Sequence, residues 1–363
     1  MKIVAILCGG KSAEHEISLI SAMNILKALD RSLFQPFIIG VDRGGCWYLQ
    51  DEGRFLAQEP NPKTVALTDF DKPLAVIPGD SPPHIIFAGD CSPLPEPAVV
   101  FSILHGPYGE DGTMQGLLRQ LNLPFVGPDV LGSAVAMDKD VAKRLLNEAG
   151  IPNAPFKTFR DSERDQIDYD EITQELELPL FIKPACMGSS VGVTRATNKA
   201  EFEDAVSLAF QFDRKILVEQ GLKGREIECA VLGNRNSKGS PIGEIVPVDG
   251  FYDYEAKYID ADGAALLIPA PGMSPETVKR VQDLAVRTFE ILECEGLSRV
   301  DFFLTENDEL YVNEVNTLPG FTSISMYPKL WDHNGLPYSQ LIDALIQLAL
   351  DRQAAKNALK TDW

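Results

Sequence analysis

The residues best suited to chemistry lie in the segment 298–321, which has the sequence SRVDFFLTENDELYVNEVNTLPGF. A two-residue turn at 307–308 would place Asp301 directly opposite Glu314, with their Cβ atoms about 5 Å apart. Two facing carboxylates repel each other unless a cation lies between them. With the amide oxygen of Asn316, they are hard oxygen ligands of the kind that bind Mg²⁺ jointly with phosphate oxygens. The spacing predicts a metal and nucleotide site, and the alternative is a hairpin whose charges face water.

Two strands must hold these side chains. The runs RVDFFL and ELYVNEVN are rich in β-branched and aromatic residues, alternate with period two and flank the polar, turn-prone TENDE. Alternation predicts that Arg299, Asp301 and Phe303 share one face of the first strand, and that Leu310, Val312, Glu314 and Asn316 share one face of the second.

Composition indicates a globular enzyme that acts on small molecules. The chain has 363 residues, enough for two or three domains, of which 45% are hydrophobic and 24% are charged. Its formal net charge of −20 disfavours nonspecific binding to nucleic acid or to an anionic membrane, although a local basic site could still hold a nucleotide. We therefore expect neither nucleic acid nor membrane among its partners.

The cysteines and the apolar runs predict a cytoplasmic protein. Six cysteines are scattered without a CxxC pair, as expected for thiols in a reducing compartment, and we predict no disulfide bonds. The opening IVAILC is too short for a signal peptide or a membrane span, and no later apolar run approaches the length of a span.

The first third of the chain predicts a parallel α/β unit. A short apolar strand, the glycine pair at 9–10 and a helical pattern follow one another, and AVVFSIL with HGPYGEDGTMQG repeats this order. Such turns can admit a ligand to a helix N-terminus, although purely structural turns explain the pattern equally well. His105, at the end of the second strand, is a candidate substrate contact or a structural hydrogen-bonding residue. Residues 73–97 carry seven prolines and predict an irregular excursion rather than regular secondary structure.

A second unit is predicted to begin near Gly127. The run DKDVAKRLLNEAGIP predicts a helix with Val141, Leu145 and Ala149 on one face.

A phosphate-binding loop is predicted after the strand LFIKP. The small residues of GSSVG would let backbone N–H groups close over phosphates, and Lys183 on the preceding strand supplies a positive charge. The alternative is a flexible surface turn. A helix from about Asn198 to Phe210 follows, with Asn198 as its cap.

The strand EIECAVLG alternates again, so Glu226 and Glu228 should face one side and Ile227 and Cys229 the other. One glutamate could bind a ribose, but a solvated strand edge explains the same pattern. Downstream, SPETVKRVQDLAVRTFEILEC predicts a helix capped by Ser274.

The motifs occur in the order found in D-alanine–D-alanine ligases, which are ATP-grasp enzymes, and the chain resembles that family over essentially its whole length. GGKSAEHEISL, HGPYGEDGTMQG and AMDK precede KP…GSSVG, EQG…GREIE, YDYEAKY and RVDFF…NEVNTLPGFT. The resemblance implies an α/β protein with the ATP-grasp fold. It implies an N-terminal parallel-sheet, Rossmann-like domain at 1–127 and two α+β subdomains, at 128–220 and 221–363, that enclose the nucleotide. The 73–97 excursion resembles the larger-insert branch of the family.

The resemblance implies ATP-dependent joining of two D-alanines for peptidoglycan precursor synthesis. The first D-alanine carboxylate would take the γ-phosphoryl group of ATP, and the amine of the second would attack the resulting acyl phosphate. We expect Mg²⁺ or Mn²⁺ as two ions, ATP as co-substrate and a homodimer.

The resemblance also implies roles for single residues. Catalysis would use Glu14, Ser189, Tyr258, Arg299 and the backbone N–H of Gly320. The amino acids would contact Glu14, His105, Lys257, Arg299, Ser325 and the backbone of Met326. ATP would contact Lys139, Lys183, Gly188, Ser189, Ser190, Glu219, Leu222, Glu226 and Lys257, and the metal would be held by Asp301, Glu314 and Asn316. Glu14 would hold the first ammonium group, Arg299 and Gly320 would stabilise the tetrahedral oxyanion, and Glu14, Ser189 and Tyr258 would form one hydrogen-bond chain.

Three sequence features bear on the alternatives. Cys186 and Met187 stand where relatives often carry polar residues, so we assign them no binding role. Tyr258 matches the tyrosine that, in this family, accompanies ligation to an amine rather than to D-lactate, which favours a dipeptide product.

The rival classes are another ATP-grasp carboxylate–amine ligase, a D-alanine–D-lactate ligase and a non-catalytic ATP-binding regulator. A nicotinamide dehydrogenase would need a GxGxxG motif that the first glycine turn lacks.

Overall fold

The computed structural model describes residues 1–247 and 264–360. Over these residues the strands form three sheets of six, four and five strands, and helices pack against them. The predicted α/β class is confirmed.

The first sheet is mixed rather than parallel, with strand order β5-β4-β3-β2-β1-β6. Strand β1 pairs in parallel with β2 and β6, as predicted, whereas β3, β4 and β5 add antiparallel partners at one side. The strands are β1 (Lys2–Gly9), β2 (Phe34–Val41), β3 (Trp47–Gln50), β4 (Pro73–Val76), β5 (Ile85–Phe87) and β6 (Val99–Ser102).

The prediction that residues 73–97 lack regular structure was wrong, because this stretch contains β4 and β5. Among its prolines only Pro73 stands in a strand, at the first position of β4. Proline is tolerated at the first position of a strand, because its missing N–H does not interrupt the hydrogen bonds in the interior of the sheet.

Both predicted strand, turn and helix units are confirmed. Strand β1 turns through Gly9 and Gly10, with φ of 93° and 96°, into α1 (His15–Ala28). A Cβ on Gly9 would lie 2.3 Å from the carbonyl oxygen of Val41, so only glycine fits this turn. Strand β6 leads through the second glycine-rich turn to α3 (Thr113–Gln120), and the short α2 (Glu52–Leu56) follows β3.

The second sheet is antiparallel, with strand order β7-β10-β8-β9. Its strands are β7 (Phe156–Arg160), β8 (Leu180–Pro184), β9 (Thr194–Ala196) and β10 (Lys215–Gln220), and its helices are α6 (Tyr169–Glu175) and α7 (Lys199–Ala209). The cap predicted for α7 is confirmed, because the side chain of Asn198 accepts a hydrogen bond from the N–H of Glu201.

Helices α4 (Val130–Met137) and α5 (Lys139–Glu148) precede this sheet. The predicted helix is confirmed as α5, but the face with Val141, Leu145 and Ala149 is not its buried face. Ala142, Lys143 and Leu146 are buried, whereas Leu145 is exposed. The buried face carries a lysine, and a search for apolar periodicity alone therefore selects the wrong side of the helix.

The third sheet is antiparallel, with strand order β13-β12-β11-β14-β15. Its strands are β11 (Arg225–Gly233), β12 (Lys238–Pro247), β13 (Ala264–Leu267), β14 (Gly296–Leu304) and β15 (Leu310–Asn316), followed or flanked by α8 (Pro275–Ile291), α9 (Met326–His333) and α10 (Tyr338–Asn357). Strand β11 lies inside the sheet, so the solvated-edge interpretation of its glutamates was wrong. Ser274 caps α8 as predicted.

The β14–β15 hairpin pairs Asp301 with Glu314, as predicted, but by another route. Asp308 has a φ of 61° and its N–H donates to the carbonyl of Thr305, so the loop between the strands is longer than the predicted two-residue turn. A bulge at Asn313 restores the register.

Because of the bulge, the prediction that all four side chains of the second strand share one face was wrong. Leu310 and Val312 pack in the core, whereas Glu314 and Asn316 pair with Asp301 and Arg299 on the opposite face of the sheet.

One apolar core joins the first sheet to the C-terminal helices. Ile6 of β1 and Met23 of α1 share a buried cluster with Tyr327 of α9 and Leu345 of α10. All six cysteines are free thiols. A search of the described residues finds no helix with the length and apolarity needed to traverse a lipid bilayer.

Candidate active site

A cavity of about 400 Å³ opens where the three sheets meet. The predicted site residues that line it are Glu14, Lys139, Gly188, Ser189, Glu226, Arg299, Asp301, Glu314, Asn316, Gly320, Ser325 and Met326. Motifs that are far apart in the sequence therefore line the same cavity.

Glu14 closes one side of this cavity together with the loop after β8. The hydroxyl of Ser189 donates a hydrogen bond of 2.6 Å to Oε1 of Glu14. Ser189 and Ser190 have φ of 50° and 59°, a left-handed conformation that costs a residue with a side chain about 1–3 kcal/mol and is found preferentially at ligand sites. The first two members of the predicted chain of Glu14, Ser189 and Tyr258 are thus in contact, and Tyr258 lies outside the described residues.

Arg299 is held between two carboxylates. Its Nε and Nη2 donate to the two oxygens of Asp301 at 2.7 Å each, and Nε lies 3.1 Å from Oε2 of Glu228. Glu228 is buried on β11 directly beside Asp301. Glu228 had no specific role predicted from the sequence, although the alternation of its strand correctly put it on the same face as Glu226.

The carboxylates form a row across three neighbouring strands. Glu228 pairs with Asp301, and Asp301 pairs with Glu314. Lys139 approaches this row, with Nζ at 3.6 Å from Oε2 of Glu314. Within this group of described residues, three carboxylates lie close to the two cationic groups of Arg299 and Lys139.

The donor set fits a hard divalent cation. Asn316 Oδ1 is buried and has no hydrogen-bond partner among the residues that the structure describes. Residues 1–247 and 264–360 contain no cluster of three His, Cys, Asp or Glu side chains arranged for a metal. Any metal here would therefore be held by the two carboxylates Asp301 and Glu314 with the Asn316 amide, and the rest of its shell would come from phosphate oxygens and water. A cation at Asp301 would compete with Arg299 for the same oxygens.

On β10, one buried glutamate lies between two lysines. Oε2 of Glu219 lies 2.5 Å from Nζ of Lys183, and Oε1 lies 3.2 Å from Nζ of Lys143. Burial alone would raise the pKa of Glu219, but the two ammonium groups hold it below its usual value. Burial lowers the pKa of Lys143, and the charge of Lys183 adds to this effect. Lys143 was missed by sequence analysis, because its partner is on a distant strand.

The loop after β8 is fixed through backbone groups of Cys186 and Met187, and Met187 also lines the cavity. The carbonyl of Met187 accepts a 2.7 Å hydrogen bond from Nζ of Lys139, and the N–H of Cys186 donates to Asp213 at 2.8 Å. Lys139 is thereby fixed at the mouth of the loop.

His105 and Glu110 both bind the backbone of Leu318, and of the two only Glu110 lines the cavity. Nδ1 of His105 donates to the carbonyl of Leu318 at 2.9 Å, and burial lowers the pKa of this histidine, which keeps it neutral. Burial, with the charge of Glu14 as a smaller cause, raises the pKa of Glu110 to about 8. Sequence analysis had not singled out Glu110.

Comparison with known proteins identifies the family. The model of the D-ala D-ala ligase N-terminus matches residues 3–128, and that of the D-ala D-ala ligase C-terminus matches residues 145–347. The chain belongs to the D-alanine–D-alanine ligase family. The resemblance drawn from the motifs is confirmed.

Relatives in this ligase family match along nearly the full chain. D-alanine–D-alanine ligase A of Escherichia coli K12 is 52% identical over 99% of this chain and 98% of its own length. The D-alanine–D-alanine ligase of Shouchella clausii is 52% identical with the same coverage.

Solved structures of ligases have the same fold. The D-alanine–D-alanine ligase of Coxiella burnetii has a TM-score of 0.84 at 37% identity, covering 98% of this chain and 97% of its own. The VanG D-Ala:D-Ser ligase of Enterococcus faecalis also has a TM-score of 0.84 at 37% identity, covering 96% and 99%. The predicted ATP-grasp fold is confirmed. Since a D-Ala:D-Ser ligase is equally similar in fold, the fold alone does not select the second amino acid.

Some residues that the ligase resemblance selected do not line the cavity: His105, Lys183, Ser190, Glu219 and Leu222. Lys183 and Glu219 lie in the buried ion cluster. Lys257 and Tyr258 lie outside the described residues.

Proposed function

We propose that this chain joins two D-alanine molecules to D-alanyl-D-alanine at the expense of ATP, and so supplies peptidoglycan precursor synthesis. The observation that carries the proposal is the shared cavity. It unites a carboxylate for an ammonium group, Glu14, with oxyanion donors at Arg299 and Gly320 and with the charged row around Asp301 and Glu314.

The first step activates a poor electrophile. A carboxylate does not react with an amine until its oxygen has become part of a leaving group, and ATP supplies the phosphoryl group. In-line transfer needs charge neutralisation more than covalent help, and Lys139 and Lys183 provide it beside the loop that contains Ser189. Mg²⁺ or Mn²⁺, as two ions held by Asp301, Glu314 and Asn316, would supply further neutralisation of the phosphates.

The second step joins the amino acids. The second D-alanine attacks the acyl phosphate carbon as the neutral amine, the C–N bond forms, the C–O bond to phosphate breaks, and the nitrogen loses one proton to leave the amide N–H. The tetrahedral intermediate carries an oxyanion, which Arg299 and the N–H of Gly320 would stabilise. Glu14 holds the ammonium group of the first D-alanine, which orients its carboxylate.

The remaining assignments complete the proposal. Following the resemblance, Ser325, the backbone of Met326 and Lys257 would contact the second D-alanine, and Gly188 and Ser190 the phosphates. Glu219 and Leu222 would contact adenine, and Glu226 the ribose. His105 would lie near the first D-alanine, and Tyr258 would complete the hydrogen-bond chain of Glu14 and Ser189. We further propose domains at 1–127, 128–220 and 221–363, a homodimer and a cytoplasmic location.

The decisive measurement is ADP release from ATP and Mg²⁺ with D-alanine, compared with L-alanine, D-lactate and D-serine as additions. We expect ADP and dipeptide in equal amounts with D-alanine alone and none with L-alanine. When D-alanine is present, D-lactate and D-serine should compete poorly for the second position. Absence of D-alanine-dependent ADP release would refute the proposal, and a predominant D-alanyl-D-serine or D-alanyl-D-lactate product would correct its substrate.

A further inference from the structure

The TLPGF segment after the metal hairpin is fixed by the N-terminal unit on both sides of its glycine. The N–H of Leu318 donates to Oε1 of Glu110 at 2.8 Å, and the carbonyl of Leu318 accepts from Nδ1 of His105 at 2.9 Å. Beyond the glycine, the N–H of Phe321 donates to Oγ of Ser21 at 3.2 Å. These hydrogen bonds are buried and connect parts of the chain more than 200 residues apart.

Gly320 lies between these two fixed points and lines the cavity. Peptide planes are rigid, so the direction of the Gly320 N–H depends on the planes on either side. Pro319 has a fixed φ and removes one of the rotations that separate Gly320 from Leu318. Holding the peptide of Leu318 therefore largely determines where the N–H of Gly320 points.

The carboxyl group of Glu110 is itself oriented. Its Oε2 accepts a 2.6 Å hydrogen bond from the N–H of Gly106, in the turn after β6, while Oε1 accepts from Leu318. Each oxygen thus binds a different part of the protein. A glutamine could not replace it, because its amide nitrogen would face one of the two N–H donors.

We propose that Glu110 and His105 are positioning residues that hold the Leu318 peptide and thereby aim the Gly320 N–H at the oxyanion of the tetrahedral intermediate. The inference rests on the proposed function, in which Gly320 stabilises that oxyanion. His105 acts through Leu318 and not by touching substrate, in accord with its place outside the cavity lining. The N-terminal unit thus sets the geometry of a catalytic group carried by the C-terminal unit.

Two isosteric substitutions separate this role from a substrate contact. In His105→Asn the amide nitrogen takes the place of Nδ1 and can still donate to Leu318, whereas in His105→Gln it takes the place of Nε2. We expect His105→Asn to retain most of kcat, and His105→Gln and His105→Leu to lose about a hundredfold, the usual cost of a small misplacement. KM for D-alanine should change little in all three. The reverse order, with His105→Gln active and His105→Asn impaired in KM, would overturn the inference in favour of a substrate contact through Nε2.

A second measurement identifies the affected step. Phosphoryl transfer does not need the oxyanion donor, whereas attack by the amine does. In Glu110→Gln and His105→Leu the acyl phosphate should form and then be hydrolysed by water to D-alanine and phosphate. The ratio of ADP released to dipeptide formed should therefore rise above one. A lower rate with the ratio unchanged at one would show a general structural effect and overturn the inference.

One serine variant extends the test and a second serves as the control. Ser21→Ala removes the acceptor on the other side of Gly320, and we expect the same change in the ADP to dipeptide ratio. Ser102→Ala removes a buried hydroxyl with no hydrogen-bond partner among the described residues, and we expect no change. The unsubstituted chain distinguishes the two levels of the proposal. If the unsubstituted chain forms no dipeptide, the proposed function is wrong. If it forms dipeptide but His105→Gln is more active than His105→Asn, only this inference is wrong.

Discussion

Ser189 and Glu14 are 175 residues apart, and the hydroxyl of the first donates a 2.6 Å hydrogen bond to the carboxylate of the second. The contact joins the loop after β8 to the start of α1. It brings the loop proposed to cover ATP against the carboxylate proposed to hold the first amino acid. Closure over one substrate is thus linked to the placement of the other.

This contact predicts coupling between the two residues. Ser189→Ala and Glu14→Gln should each lower kcat/KM, and the double variant should lose less transition-state free energy than the sum of the singles, by about 0.5–3 kcal/mol. Steady-state kinetics of the four proteins give this coupling. The exposed Ser207, substituted by alanine, is the control and should add independently to Glu14→Gln. Additivity within error for the Glu14 and Ser189 pair would show that the hydrogen bond does not form during turnover.

The carboxylate row predicts a loss of ligation without a loss of fold. Asp301→Asn and Glu314→Gln should lower kcat by at least about a hundredfold, since even partners outside the ligand shell cost metal sites 10- to 100-fold. Tm should change little, because both side chains face the cavity and not the core. Glu306→Gln, in the exposed turn of the same hairpin, is the control. Near-normal turnover of both variants at ordinary Mg²⁺ concentration would exclude the hairpin from the mechanism.

Glu110 predicts a pH dependence of stability. Burial raises the pKa of its carboxyl from 4.5 to about 8, so the folded protein retains a proton that the unfolded chain releases. The stabilisation is complete below about pH 4.5 and is lost as the pH rises through about 8. Urea titrations across this range should show the free energy of unfolding falling with pH, with a contribution from this group of about 1.4 kcal/mol per pH unit. In Glu110→Gln that contribution should be absent, and an identical slope in both proteins would contradict the assignment.

Substitution of Lys143 is expected to lower the stability of the protein by an amount that depends on Glu219. Lys143→Met leaves the buried carboxylate of Glu219 with Lys183 as its remaining lysine partner in the cluster, and should lower the free energy of unfolding by about 1–3 kcal/mol. Adding Glu219→Gln should cost less than it does in the unsubstituted chain, because the two residues interact. Denaturant melts of the four proteins measure this difference. The exposed Lys199→Met is the control and should be neutral. Independent effects of Lys143 and Glu219 would contradict the cluster.

The β14–β15 hairpin shows which structural features could be predicted from the sequence and which could not. Asp301 lies opposite Glu314 as predicted, but only because the longer loop and the bulge at Asn313 have cancelling effects on the register. The longer loop and the bulge at Asn313 were not predictable, since each shifts the register by one residue in opposite directions and neither has a composition of its own. The face of Leu310 and Val312 was therefore misassigned while the chemically important pair was correct.

Buried charge marks the other limit of prediction. The inward face of α5 contains Lys143, which resembles a surface residue until its contact with Glu219 on β10 is known. The role of Glu110 could likewise not be predicted from the motif HGPYGEDG, because the residue that donates to it, Leu318, lies 208 positions away. Local patterns predict elements and motifs, whereas such pairings depend on how distant segments meet.

The shared core of the first sheet and α10 bears on how the chain is made. Leu345 and its neighbours on α10 pack in the cluster that contains Ile6 of β1, and Arg352 donates a 2.6 Å hydrogen bond to the carbonyl of Phe125. Synthesis proceeds from the N-terminus, so the nascent first sheet exposes an apolar face until α10 has left the ribosome. The earliest sheet to be synthesised is consequently among the last to be fully covered. Removing α10 should therefore leave the N-terminal unit prone to aggregation although every residue of its own sheet is intact.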